Sequence, residues 1–289
     1  MGYSDPRLLP SGKLNFRLSR QLQSYNKQDP PPSRVKPIPT SVLLRSITLL
    51  RLSNHPRATA LADMLTLGFY FLLRPGEYAL TSNPESTPFR LQDVHLHIGN
   101  TRIPHLTCPL HQLRAATFVC LEFTTQKNGV RGELIGLGRS GNPVFCPVQA
   151  CINRVEHLRT YSALPASPLY TFFHNGWQGI TTSVLTAELR HTVQFMGHTV
   201  GLTPDDISVR SLRSSGAMAL LCTHVDTDKI RLLGRWRSDE MLRYLHVQAY
   251  PVVAQLAPAM LNHGHFTIIQ NQQLPQPRLP PVTGGYRGL

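Results

Sequence analysis

No Cys-x-x-Cys pair occurs in this 289-residue chain, and its five cysteines are odd in number. That pattern argues against a zinc site and suits a reduced, intracellular protein. An apolar signal region is missing as well: the chain opens MGYSDPRLLP. The longest apolar run, LTLGFYFLL at 65–73, is too short to cross a bilayer and reads as a buried helix. Acidic residues are scarce, 16 against 29 Lys plus Arg, which leaves a formal charge of +13. Such an excess points to a polyanionic partner. Arginine carries most of it, and arginine favours forked recognition of phosphate where lysine offers a point charge. No internal repeat is visible.

What is present fits a globular chain, with 41% apolar residues and enough length to bury a core. Residues 1–40 read as a basic arm and a linker. GKLNFRLSRQLQSY has the spacing of a basic amphipathic helix, and the five prolines of DPPPSRVKPIPTS favour an extended path. Residues 41–262 read as one domain. SVLLRSITLLRL and RATALADMLTLGFYFLL repeat apolar residues at helical spacing, the second over 57–73 and ending at Arg74 ahead of Pro75. Pro75 then opens a short helix through GEYAL.

Over 88–140, RLQDVHLHIG, ATFVCLEFTT and RGELIGLGR alternate as strands do, and Asn-Gly between the last two signals a hairpin. Helices are expected again at 146–162, 182–197 with Thr182 or Ser183 as its cap, 209–224 and 226–234, with a short strand at 169–173. The Pro/Gln/Gly-rich tail, 263–289, reads as disordered. The fold class is mainly α with one small antiparallel β-sheet (α+β).

Four short motifs bear on function. In LLRPGE, Arg74 stands where an apolar helix ends; it is either a surface arginine paired with Glu77 or a group that needs an anion. In TTQKNGVRG, Lys127 sits at the hairpin tip, either as solvated charge or as a reaching cation. In SVRSLRSSGAMALL, Arg210 and Arg213 are three apart at a helix start and are expected on one face. Two arginines there oppose the helix dipole unless an anion offsets them. The small residues Ser214, Ser215, Gly216 and Ala217 that follow permit close backbone approach. In LLGRWRSDEMLRYLH, Gly234 ends a helix, Arg235 and Trp236 follow, and Tyr244 lies ten residues past the glycine. Taken alone, Tyr244 reads as a core tyrosine with a bonded hydroxyl.

In order, the set is Arg, Lys, Arg-x-x-Arg, Arg-Trp, Tyr. Over roughly 37–262 it resembles the tyrosine recombinases, or phage-type integrases. LLRPGE resembles their Arg-x-x-Glu box, Lys127 the hairpin lysine, RSLRSSGA the His-x-x-Arg box and LGRW the Leu-Gly-His or Gly-Trp box. Tyr244, 31 residues after Arg213, matches the nucleophile. The flavour of GAMALL…IRLLGRWRSDEMLRYL is similar to crypton-type recombinases of eukaryotic mobile elements.

The resemblance implies the recombinase catalytic-domain fold and strand breakage and rejoining in double-stranded DNA, with no cofactor, metal or small-molecule substrate. Arg74 and Arg213 would clamp the phosphate, Tyr244 would form a 3′-phosphotyrosyl link, and Lys127 would protonate the leaving oxygen. Arg210 and either Arg235 or Trp236 would complete the pocket. It implies a homotetramer on DNA and an intracellular location, the nucleus in a eukaryotic cell.

Two positions depart from the pattern. Arg210 stands where the family has histidine, and arginine cannot accept a proton. Arg235 and Trp236 both follow Gly234, and spacing leaves open which fills the His/Trp role. Forty residues ahead of the domain are too few for the family's separate N-terminal DNA-binding domain, so a fragment is expected. The alternatives are a catalytically decayed DNA-binding relic and a topoisomerase-like nicking-closing enzyme.

Overall fold

The computed structural model describes residues 35–124, 132–223 and 225–236, with residues 7, 11, 15, 16 and 18–21 of the N-terminal arm. All belong to one compact unit, Met1–Leu245. Lys127, Tyr244 and the 263–289 tail lie outside the described residues.

The helices are α1 (Thr40–Leu52), α2 (Pro56–Tyr70), α3 (Pro75–Tyr78), α4 (Leu110–Arg114), α5 (Pro147–Thr160), α6 (Thr182–Val200), α7 (Ser211–Cys222) and α8 (Thr227–Gly234). The strands are β1 (Val94–Ile98), β2 (Thr101–Arg102), β3 (Phe118–Phe123), β4 (Glu133–Gly138), β5 (Thr171–Phe173) and β6 (Trp177–Gly179). The molecule is mainly α with a small antiparallel sheet, as the sequence implies. The sheet runs β2-β1-β3-β4, and β5-β6 forms a separate hairpin. β3 and β4 pair antiparallel from Phe118↔Gly138 to Phe123↔Glu133, as the expected hairpin requires, and the Asn-Gly segment between them lies outside the described residues.

α2 is the central helix. Every residue from Ala60 to Phe69 is buried, so its 3.6-residue period carries no polar stripe. α1, α5 and α7 pack around it. Each fully buried leucine there contributes roughly 1.5–3 kcal/mol. α2 also carries Asp63, fully buried, whose carboxylate meets Arg51 at 2.9 Å, the Asn153 amide at 3.0 Å and Arg154 at 3.9 Å. Arg154 is itself fully buried and donates through Nε to Leu169 O at 3.0 Å.

Several expected boundaries shift. α2 stops at Tyr70 rather than reaching Arg74. α6 is capped by Thr181, whose Oγ1 accepts from the Val184 N–H at 3.2 Å, and not by Thr182 or Ser183. It runs on to Val200, where Gly201 takes a left-handed φ of 69°. α7 begins at Ser211, two residues later than expected. β2, β6 and α4 are additional short elements.

Candidate functional site

The end of α2 turns back on itself at Leu72, a non-glycine residue with φ of 50°. A leucine there costs about 1–2 kcal/mol. Two arginines take the carbonyls that this turn frees. Arg235 Nη1 donates to Phe71 O at 3.2 Å, and Arg213 Nη1 donates to Leu72 O at 2.5 Å. The two carbonyls lie just past α2, so the arginines satisfy acceptors that the helix end leaves without a backbone donor.

Arg74 is the extended residue ahead of α3, with ψ of 149°, and Pro75 opens the helix. Its backbone N–H donates to Glu77 Oε2 at 2.7 Å and its Nη1 to Glu77 Oε1 at 3.1 Å. The pairing with Glu77 that a surface reading of LLRPGE suggests is therefore present. The Arg74 side chain is still 32% exposed. It lines a polar cleft of about 670 Å³ together with Glu77, Ser86, Thr87 and Arg210. A second bond, beside that from Arg213 to Leu72 O, ties the two arginine boxes together. The Tyr78 hydroxyl on α3 donates to Val209 O at 2.9 Å, directly before Arg210. Burial, with the Glu77 charge beside it, pushes the Tyr78 phenol well above its usual range, so it stays a donor.

Arg210 and Arg213 lie at different depths. Arg210 precedes the first residue of α7, and its exposed side chain borders the cleft. Its backbone is already helical, with φ of −68° and ψ of −22°, so what separates the two arginines is burial: Arg210 is exposed at the helix end. Arg213, inside the helix, is 5% exposed and donates to Leu72 O and Gly234 O. Its guanidinium lies 4.2 Å over the Trp236 ring. Backbone carbonyls and an aromatic face thus offset the charge near the helix start. Close approach through small residues holds here: a Cβ on Gly216 would stand 2.3 Å from Phe69 O.

The LGRW segment is built around one glycine and one strained arginine. A Cβ on Gly234 would fall 1.7 Å from the Trp236 ring, so only glycine lets the indole fold back over α8. Trp236 then packs with Leu72, Ala217 and Ile230 in a small second core. Arg235 takes a left-handed φ of 57°, where glycine is usual. It is 5% exposed and meets Glu77 Oε2 at 3.0 Å, with its guanidinium 3.8 Å from the Phe123 ring centre. Burial draws its pKa down to about 10, with the Glu77 carboxylate pulling the other way, so it remains charged at neutral pH.

Five of the seven residues singled out in the sequence therefore fall in two layers. Arg74 and Arg210 open to solvent, while Arg213, Arg235 and Trp236 lie packed behind the α2–α3 turn. Glu77, the carboxylate shared by Arg74 and Arg235, is the residue whose part the motif reading understates. A second furrow, also bordered by Arg210, touches Val35 and Arg190 on α6. Among the described residues, no group of three or more His, Cys, Asp or Glu could hold a metal ion, and no helix is long and apolar enough to cross a membrane.

No protein-family model matches the chain, and no curated protein sequence does. Among solved structures, the chain is similar to the crystal structure of XerA recombinase, at 13% identity and a TM-score of 0.44. The match covers 83% of this chain and 68% of that one.

Proposed function

We propose that this chain is a DNA strand transferase of the tyrosine recombinase type, acting for a mobile element. One observation carries the reading: Arg74 and Arg210, from boxes far apart in sequence, open into one cleft. A phosphodiester attacked in line spreads negative charge over its non-bridging oxygens, and fixed guanidinium groups stabilise that charge. Arg74 and Arg210 would hold those oxygens, and Arg213 would join them by exchanging a carbonyl for a phosphate oxygen. The Tyr244 oxygen would attack phosphorus as the bond to the 5′-oxygen breaks, leaving a 3′-phosphotyrosyl link. Lys127 would give its proton to the departing oxygen. Arg210 cannot accept the tyrosine proton, so water or hydroxide would take it. Four copies on two duplexes would then exchange strands.

The test is single-turnover cleavage of a duplex carrying either an ordinary or a 5′-bridging sulfur leaving group. Arg74→Ala should slow both by orders of magnitude. Lys127→Ala should slow only the oxygen substrate, since a thiolate leaves without a proton. Equal rates for wild type and Arg74→Ala would remove the clamp.

A second reading, DNA binding without cleavage, is favoured by the internal acceptors that Arg213 and Arg235 already hold. Covalent capture of DNA separates the two.

A further inference from the structure

Arg235 and Trp236 compete for one place in the resemblance, and the geometry points to a different role for Arg235. We propose that it is a positioning residue that never meets the DNA phosphate and works through Glu77, whose carboxylate sets Arg74 at the mouth of the cleft. The inference rests on the DNA-phosphate reading of that cleft.

The Glu77 carboxylate divides itself between two arginines. Oε2 accepts from the Arg74 backbone N–H at 2.7 Å and from Arg235 Nη2 at 3.0 Å, while Oε1 accepts from Arg74 Nη1 at 3.1 Å. The two arginines differ in every other respect. The Arg74 side chain is 32% exposed and lines the cleft; the Arg235 side chain is 1% exposed and does not. Arg235 Nη1 faces Phe71 O at 3.2 Å and Leu233 O at 3.4 Å. Its flat face covers Phe123, and its buried Nε has no acceptor. A group meant to swing toward a ligand would not be held through both terminal nitrogens and one face.

The backbone argues the same way. The left-handed conformation at 235 costs an arginine what a glycine would avoid, and such strain persists where the surroundings require the side chain. Moving Arg235 out to a phosphate would also take from the buried Glu77 carboxylate one of its two guanidinium partners. Its hydrogen bond holds the Glu77 carboxylate in place, and Glu77 in turn fixes both the φ/ψ entry into α3 and the Arg74 side chain.

The experiment is a double-substitution cycle on duplex DNA affinity, read by fluorescence anisotropy across a salt series. Arg235→Gly suits the local φ and removes only the side chain. In the wild-type background it should weaken binding roughly ten-fold, the size of one charge-assisted contact. In the Arg74→Ala background it should do nothing further, because both changes act on the same contact. Arg74→Ala alone should lower the slope of log Kd against log salt by about one.

Two results overturn the inference. A further ten-fold loss and slope decrease in the Arg74→Ala background would show that Arg235 touches phosphate itself. No loss in either background, with only a lower Tm, would make Arg235 merely structural. Should Arg235→Gly fail to fold, Glu77→Gln replaces it. A positioning relay predicts weaker binding that vanishes in the Arg74→Ala background. An Arg235 able to reach phosphate would be released by Glu77→Gln and would raise the slope by about one. Salt-insensitive binding by the wild type would instead remove the DNA-phosphate reading, and this inference with it.

Discussion

The Arg213 guanidinium lies 4.2 Å over the indole of Trp236, and the ring can be there only because residue 234 has no side chain. Gly234→Ala should therefore displace the indole and uncover Arg213. Trp177→Phe leaves Trp236 as the single tryptophan, since the chain has two. In that background Gly234→Ala should shift the emission to the red, as the ring moves from 8% exposure into water. Unchanged emission would mean that the glycine is not what seats the ring.

Arg213 also closes two buried carbonyls, those of Leu72 and Gly234. Arg213→Ala leaves both without a donor and should cost roughly 2–4 kcal/mol in urea unfolding. Arg213→Lys keeps the charge, but one ammonium lacks the fork that spans both acceptors, so it should recover less than half of the loss. Full recovery by lysine would show that charge, not the fork, is what the turn requires.

Asp63 and Arg154 are both fully buried. Burial raises the Asp63 carboxyl above its usual range, and Arg51 and Arg154 oppose that rise. Removing one member of a buried ionic set leaves an uncompensated charge, at a cost of about 3–5 kcal/mol. Asp63→Ala should lower Tm on the order of 10 °C in a scanning calorimeter. A shift within 2 °C of zero, roughly the effect of a surface change, would contradict the assignment.

His157 gives the fold an acid-sensitive bond. Its Nε2 accepts from the Phe173 N–H at 2.9 Å, which needs a neutral ring. Burial first, then the Arg154 charge, lowers its pKa to about 4. The folded value lies below the unfolded one, near 6.5. Its contribution is therefore complete above pH 6.5 and is lost as pH falls toward 4. For a partly exposed ring that loss is about 1–2 kcal/mol. Urea midpoints at pH 7.5 and pH 4.5 should differ more for wild type than for His157→Gln. Equal differences would place the acid sensitivity elsewhere.

Apolar spacing marks α1 and α2 in the sequence, because a helix buried on one side or all round must repeat its leucines. The Arg74, Arg210 and Arg213 boxes are legible too, although their depth is not. The sequence puts Arg210 and Arg213 on one face; in the structure Arg210 is exposed at the N-cap of α7 and Arg213 is buried within it, a difference in depth that spacing does not show. β2, β6 and α4 span two to five residues, too short for a period to show, and partners decide them. Asp63 and Arg154 are singletons whose burial each makes tolerable for the other. Arg235 is the hardest to foresee, since its left-handed φ and its bond to Glu77 depend on contacts across most of the chain.

The central claim is that Tyr244 carries DNA covalently. A suicide duplex, nicked so that the cleaved end diffuses away, is incubated with the full chain and run on a denaturing gel. Wild type should give a slower band of protein joined to DNA, with the peptide link mapping to Tyr244. Tyr244→Phe should lose that band and retain duplex binding within about two-fold, since the hydroxyl adds little to ground-state affinity. A band that persists in Tyr244→Phe, or no band with wild type that still binds the duplex, would contradict the account.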